Sequence, residues 1–164
     1  MSGSALSARE RVAWGVVAEV VDPEIPVLTI ADLGVLRSVV EMDGVMEVAI
    51  TPTYSGCPAM SMIALEVQMA LDAAGISGRV VTVLEPAWTT DWMSAAGRAK
   101  LLAYGVAPPG RAAGRRALFS VEAVGCPRCG SMRTECIAEF GSTSCKALWR
   151  CLACREPFDQ FKCH

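Results

Sequence analysis

Two short motifs, Cys126-Pro127-Arg128-Cys129 and Cys151-Leu152-Ala153-Cys154, restrict what this chain can fold into more than any other feature. A C-x2-C turn brings two thiolates to one metal ion, and two such turns complete the tetrahedral sulfur cage that Zn2+ prefers. The 21 residues between Cys129 and Cys151 are enough for two antiparallel strands. The pairing predicts a zinc ribbon in which Cys126, Cys129, Cys151 and Cys154 hold a structural zinc. Rubredoxin-like iron shares the spacing, and a paired redox switch is the remaining alternative. Pro127 and Gly130 suit the first knuckle, glycine because it tolerates positive φ and leaves N–H groups free to face sulfur. The second knuckle, Cys-Leu-Ala-Cys-Arg-Glu, lacks that glycine. Of the other cysteines, Cys136 falls in an expected strand and reads as a small half-buried hydrophobe. Cys145, in the turn region of the ribbon, and Cys163, beside His164, are candidates for auxiliary ligands.

The start of the chain, MSGSALSARERVAW, has no basic segment followed by an apolar core and a small-residue cleavage site, so a cytoplasmic location is expected. There, eight cysteines point to metal or thiol chemistry rather than to a disulfide framework. The chain is apolar, with 52% hydrophobic residues and a mean hydropathy of +0.37. Glu19, Glu66 and Lys100 nevertheless interrupt its apolar stretches well before the ~18 residues that would span a membrane, and no membrane partner is expected. Residues 1–114 carry seven Lys+Arg against twelve Asp+Glu, and residues 115–164 carry eight against five. Four thiolates on one Zn2+ add −2, which leaves the tail near +1, too little charge for a nucleic-acid footprint. The single histidine, His164, is the last residue, which argues against Ser-His-Asp and Cys-His nucleophiles and against sites with two histidine ligands.

Ser7-Ala8-Arg9-Glu10 is a capping box, and Val12, Val16 and Val20 recur behind it at helical spacing, predicting a helix over 8–21. Asp22-Pro23-Glu24-Ile25-Pro26 breaks it, since each proline disfavours helix at the residue before it. Two β-branched runs around Asp43-Gly44 predict a hairpin of 35–42 and 45–51. Met60, Ile63, Ala64, Val67, Ala70 and Leu71 form a helical stripe ended by Gly75, with the methionines read as core filler. A third strand is expected over 79–84, paired with the hairpin through a crossover, and a last helix capped by Thr90 or Asp91 and ending near Gly105. The expected class is α+β. Residues 1–105 form a small α-β-β-α-β-α domain with a three-stranded sheet, 106–120 a Pro/Gly/Ala/Arg-rich linker, and 121–164 the zinc ribbon. Cys57 lies immediately before the second long helix, where the unpaired N–H groups and the helix dipole favour a thiolate; it reads equally as a reactive thiol or as a buried cysteine in a β-α turn.

DPEIPVLTIADLGVL and TPTYSGCPAM resemble the small-domain family shared by cytosolic iron–sulfur assembly factors and bacterial iron–sulfur maturation proteins. EPAWTTDWMS, CPRCGS, FGSTSCKALWRC and EPFDQFKCH extend the likeness, over essentially the whole chain, to the branch of that family that serves phenylacetate degradation. The resemblance implies an α/β domain and a role in supplying or installing iron–sulfur clusters. It implies as partners the components of the monooxygenase that epoxidises phenylacetyl-CoA, above all its 2Fe–2S reductase. Asp22, Pro23 and Glu24 match the family's acidic motif, Thr51 and Pro52 the start of its loop, and Cys57 its thiol. Asp22 and Glu24 can equally be residues that cap backbone in a turn. One thiol per chain would hold a transient cluster only in a homodimer or with a borrowed ligand. The expectation is a non-catalytic accessory protein of maturation. A docking subunit that aligns the complex is the main rival, and a nucleic-acid-binding ribbon the lesser one. A catalytic oxygenase subunit is disfavoured because the paired Glu and Glu-x-x-His ligands of di-iron carboxylate proteins are missing.

Overall fold

The computed structural model describes residues 6–110 and 124–162. Most of the expected linker, from residue 111 onward, lies outside the described residues, as do Cys163 and His164. The chain divides into two compact units, one running to Trp88 and the other starting at Thr89. The expected boundary at residue 105 therefore lies inside the second unit. Among the described residues no helix is long and apolar enough to cross a membrane.

In the first unit, α1 (Ala8–Ala18) starts at the anticipated box: Ser7 Oγ accepts the Glu10 N–H at 3.1 Å, and the Ser7 N–H donates to Glu10 Oε2 at 2.7 Å. It stops short of residue 21 because Val20 and Val21 leave the helix to pair with the next segment. The Ile30 N–H reaches the Val20 carbonyl at 2.8 Å, and Val21 bridges Thr29. A short α2 (Ile30–Leu33) follows, unanticipated although Thr29-x-x-Asp32 is itself a capping box and Gly34, at φ 71°, closes the helix. β1 (Leu36–Met42) and β2 (Val45–Ile50) form the expected hairpin, with Asp43 and Gly44 both at positive φ. β3 (Gly78–Thr82) lies parallel to β2, so β2 is the middle strand of the three-stranded sheet, order β1-β2-β3.

The crossover between β2 and β3 is α3 (Ala59–Ala73). Its Ile63, Val67 and Leu71 are buried at i+4 spacing, each worth about 2 kcal/mol in area removed from water. The close fit of helix and sheet is visible at Gly78, where an added Cβ would lie 2.7 Å from Leu71 Cδ1. The methionines depart from the core-filler expectation, because Met62 and Met69 are on the opposite face of α3 and exposed.

The second unit opens with a 3-10 turn at Thr90–Trp92 and α4 (Ala95–Tyr104). The cap of α4 is Ser94, whose Oγ accepts the Gly97 N–H at 2.8 Å, not Thr90 or Asp91. Met93 is extended and separates the turn from the helix. Val106 and Ala107, expected in the linker, form β4 (Val106–Ala107) and pair in parallel with β7 (Pro157–Phe161). β5 (Thr134–Ala138), β6 (Lys146–Cys151) and β7 run antiparallel in turn, giving a four-stranded sheet of order β4-β7-β6-β5. Cys136 is exposed on β5, the outer strand, and is not the half-buried residue anticipated.

Candidate functional site

The loop between α1 and α2 is built around Asp22. Its Oδ1 accepts the N–H groups of Glu24 and Ile25, both at 2.8 Å, and its own N–H donates to the Leu28 carbonyl at 2.9 Å. Asp22 is buried and does hold backbone in a turn; Ile25 and Leu28 anchor that turn in the core. The turn also brings Asp22 and Glu24 into electrostatic range of Cys57, on the loop from β2 to α3. Thr51 and Pro52, immediately after β2, are buried at the start of that loop. The Thr51 N–H donates to the Val35 carbonyl at 2.9 Å, but its buried Oγ1 has no hydrogen-bond partner. An orphaned buried hydroxyl costs stability and calls for an explanation, whether an ordered water, local strain or a ligand; Trp149 Nε1 in the ribbon has no partner either.

Cys57 is half-buried and lies just before Pro58, the residue at the head of α3. Its N–H donates to the Tyr54 carbonyl at 3.1 Å, which sets the turn. The sequence leaves Cys57 open between a buried cysteine and a reactive thiol whose pKa the helix N-terminus would lower. Burial pushes the thiol's pKa up; the Ala59 and Met60 N–H groups pull it down, and the Glu24 and Asp22 carboxylates push it up again. The helix N-terminus acts as anticipated and is outweighed. The net direction at Cys57 is upward, away from a thiolate, with burial as the main cause.

The second cluster is the four-sulfur cage. Cys126, Cys129, Cys151 and Cys154 have their sulfurs within 4.8 Å of one another. The Sγ atoms of Cys126 and Cys154 are 3.7 Å apart and those of Cys129 and Cys151 3.5 Å. A zinc with bonds of ~2.3 Å to four sulfurs at tetrahedral angles requires about 3.8 Å between sulfurs, whereas a disulfide requires ~2.05 Å. The cage therefore fits the ion. Backbone N–H groups of Ala153 and Cys154 point at Cys151 Sγ, at 3.4 and 3.5 Å. The Cys154 N–H is the chief reason that the Cys151 thiol is lowered to about 6. Cys154 is pushed up to about 12: the Glu156 N–H pulls it down, but burial and the other three sulfurs prevail. Four thiolates this close need a cation among them. Cys126 and Cys151 also belong to the buried core of the sheet, with Val124, Trp149 and Phe158, so metal and core support each other. Cys145 is buried with Sγ 3.0 Å from Thr143 Oγ1 and stands outside the cage.

The two knuckles have the same backbone. The Cys126 N–H donates to the Ser131 carbonyl and the Cys151 N–H to the Glu156 carbonyl, each at 3.0 Å and each five residues on. Gly130 follows the first knuckle at φ 72° and Arg155 follows the second at φ 65°. The second knuckle does without glycine by placing an arginine in the left-handed region, which no sequence signal announced.

Comparison with known proteins agrees with this division. Residues 10–84 match the family described as iron–sulfur cluster assembly protein, and residues 111–162 the PaaD zinc beta ribbon domain. A protein of Escherichia coli (strain K12), named provisionally as one of the subunits of 1,2-phenylacetyl-CoA epoxidase, is 49% identical over 152 residues, covering 92% of this chain and 90% of that one. An Fe-S protein maturation auxiliary factor of Porphyromonas gingivalis (strain ATCC BAA-308 / W83) is 40% identical over 78 residues, 46% of this chain and 73% of that one. The crystal structure of a domain of unknown function, DUF59, from Bacillus anthracis superimposes with a TM-score of 0.53 at 26% identity, covering 57% of this chain and 92% of that one. The zinc-ribbon match and the four-cysteine cluster together support a structural zinc. On a likeness that spans nearly the whole of both chains, with an iron–sulfur assembly domain in front of the PaaD zinc ribbon, the chain belongs to the PaaD family.

Proposed function

We propose that this chain is a non-catalytic accessory protein of a phenylacetyl-CoA epoxidase, and that it assists assembly or delivery of the iron–sulfur cluster of the 2Fe–2S reductase. The observation that carries the reading is the placement of Cys57 within range of Asp22 and Glu24 at the head of α3, in the domain that matches the iron–sulfur assembly family. The cluster is cargo. When Cys57 Sγ bonds to iron, its S–H bond breaks and the proton passes to solvent or to a neighbouring carboxylate such as that of Glu24. A thiol that holds its proton firmly competes poorly for metal at neutral pH, because ligation must displace that proton. Weak retention suits a carrier, since the cluster must then move to thiolates of the client by ligand exchange. One thiol per chain leaves the remaining ligands to a second copy or to the client. In this reading Cys126, Cys129, Cys151 and Cys154 hold the structural zinc and take no part in transfer.

The test is the 2Fe–2S content of reductase isolated from cells that lack this chain. Reduced occupancy is expected, restored by the wild-type chain and not by Cys57→Ala. Full occupancy without the chain would refute delivery and move the function to alignment of the complex.

A further inference from the structure

Helix α3 is apolar on two faces. Ile63, Val67 and Leu71 point into the core, while Met62, Leu65 and Met69, at 48%, 53% and 60% exposure, line the opposite side at i, i+3 and i+7 spacing. The outer stripe begins one and a half turns beyond Cys57 and follows the helix for about 10 Å. α3 carries no Lys or Arg; its charged residues are Glu66 and Asp72. The whole of residues 1–88 holds four Lys+Arg against eleven Asp+Glu. Three half-exposed side chains offer roughly 300 Å2 of apolar surface, the size of a functional patch on a monomer. A stable dimer needs ~800 Å2 from each partner, so the stripe cannot by itself hold a second copy permanently. Its size fits a transient contact, and the acidic balance of residues 1–88, with Glu66 and Asp72 the only charges on α3, fits a partner whose apolar contact surface is rimmed by Lys and Arg.

We infer that the Met62–Leu65–Met69 stripe is the docking surface for the client apoprotein, a surface with an apolar centre and a basic rim, seated so that its cluster ligands come over Cys57. The inference rests on the delivery reading and deepens it by assigning the surface that recognises the client. Recognition and transfer are thereby separate: the stripe binds, and the thiol hands over.

The experiment uses the full zinc-loaded chain and the purified apo form of the epoxidase's 2Fe–2S reductase, with binding measured by titration calorimetry at two salt concentrations. Leu65→Ser and Met69→Ser alter exposed side chains and leave the core and the zinc cage untouched. The wild type is expected to bind micromolar or weaker and to lose affinity as salt rises. Each serine variant should bind at least fivefold more weakly, while Cys57→Ala binds like wild type and fails only in transfer. Serine variants that bind like wild type would overturn the inference, as would an absence of binding by the wild type. A self-association of the wild type that Leu65→Ser abolishes would overturn it too, by making a second copy the occupant. The delivery reading fails separately, on normal cluster content in reductase from cells lacking the chain.

Discussion

Thr51→Val isolates one atom pair. Threonine and valine have nearly the same shape, so the change replaces a hydroxyl with a methyl at a position 1% exposed, where Oγ1 has no hydrogen-bond partner. A buried hydroxyl left unsatisfied costs about 1–3 kcal/mol, and no cavity opens when valine takes its place. Valine should stabilise the first unit by about 1–2 kcal/mol. For a unit of this size that is a rise of roughly 4–8 °C in Tm per kcal/mol, without change in the urea m value. The assay is thermal and urea unfolding of the zinc-loaded chain, followed by far-UV circular dichroism, beside wild type. The companion measurement is transfer of iron–sulfur cluster to the apo reductase. If the hydroxyl is kept, at a cost in stability, for use when a cluster is bound or passed on, the valine variant is more stable and slower in delivery. A variant less stable than wild type would show that Oγ1 has a partner in the folded protein, and the reasoning would fall. A stabilised variant with unimpaired delivery would leave the hydroxyl idle and detach Thr51 from the site.

In the ribbon, Arg155 at φ 65° carries a backbone strain that Gly130 avoids in the matching position, so Arg155→Gly should bind zinc more tightly than Arg155→Ala by about 1 kcal/mol, or roughly fivefold, in chelator competition; alanine removes the same charge and keeps the Cβ, and equal affinities would refute the strain. At Cys57 the raised pKa predicts that alkylation by iodoacetamide near pH 7.5 is slower than that of an ordinary exposed thiol, with the pH-rate midpoint shifted upward. Glu24→Gln removes a negative charge and should move that midpoint down; a fast thiol in the wild type would overturn the electrostatic account.

The cage was legible because metal ligation needs four sulfurs at fixed spacing, and that requirement is written directly into Cys126, Cys129, Cys151 and Cys154. The hairpin was legible for a similar local reason, since Asp43-Gly44 can take two consecutive positive φ values. What escaped was set by tertiary contact. The end of α1 depends on Val20 and Val21 finding partners around Thr29 and Ile30, and β4 exists only because β7 returns beside it. The two readings of Cys57 stayed level in the sequence because the helix terminus is visible there, whereas burial and the carboxylates of a loop more than thirty residues away are not. On α3, periodicity marks apolar positions at both i, i+4 and i, i+3, i+7, and sequence alone assigns every methionine to the core. The fold resolves the ambiguity by burying Ile63, Val67 and Leu71 against the sheet, which leaves Met62, Leu65 and Met69 in water. Packing against the sheet accounts for the buried side of α3 and leaves the outer stripe without an account. The outer stripe runs along the helix whose first turn supports Cys57, so a client that covers the stripe is brought to the thiol by the same rigid element.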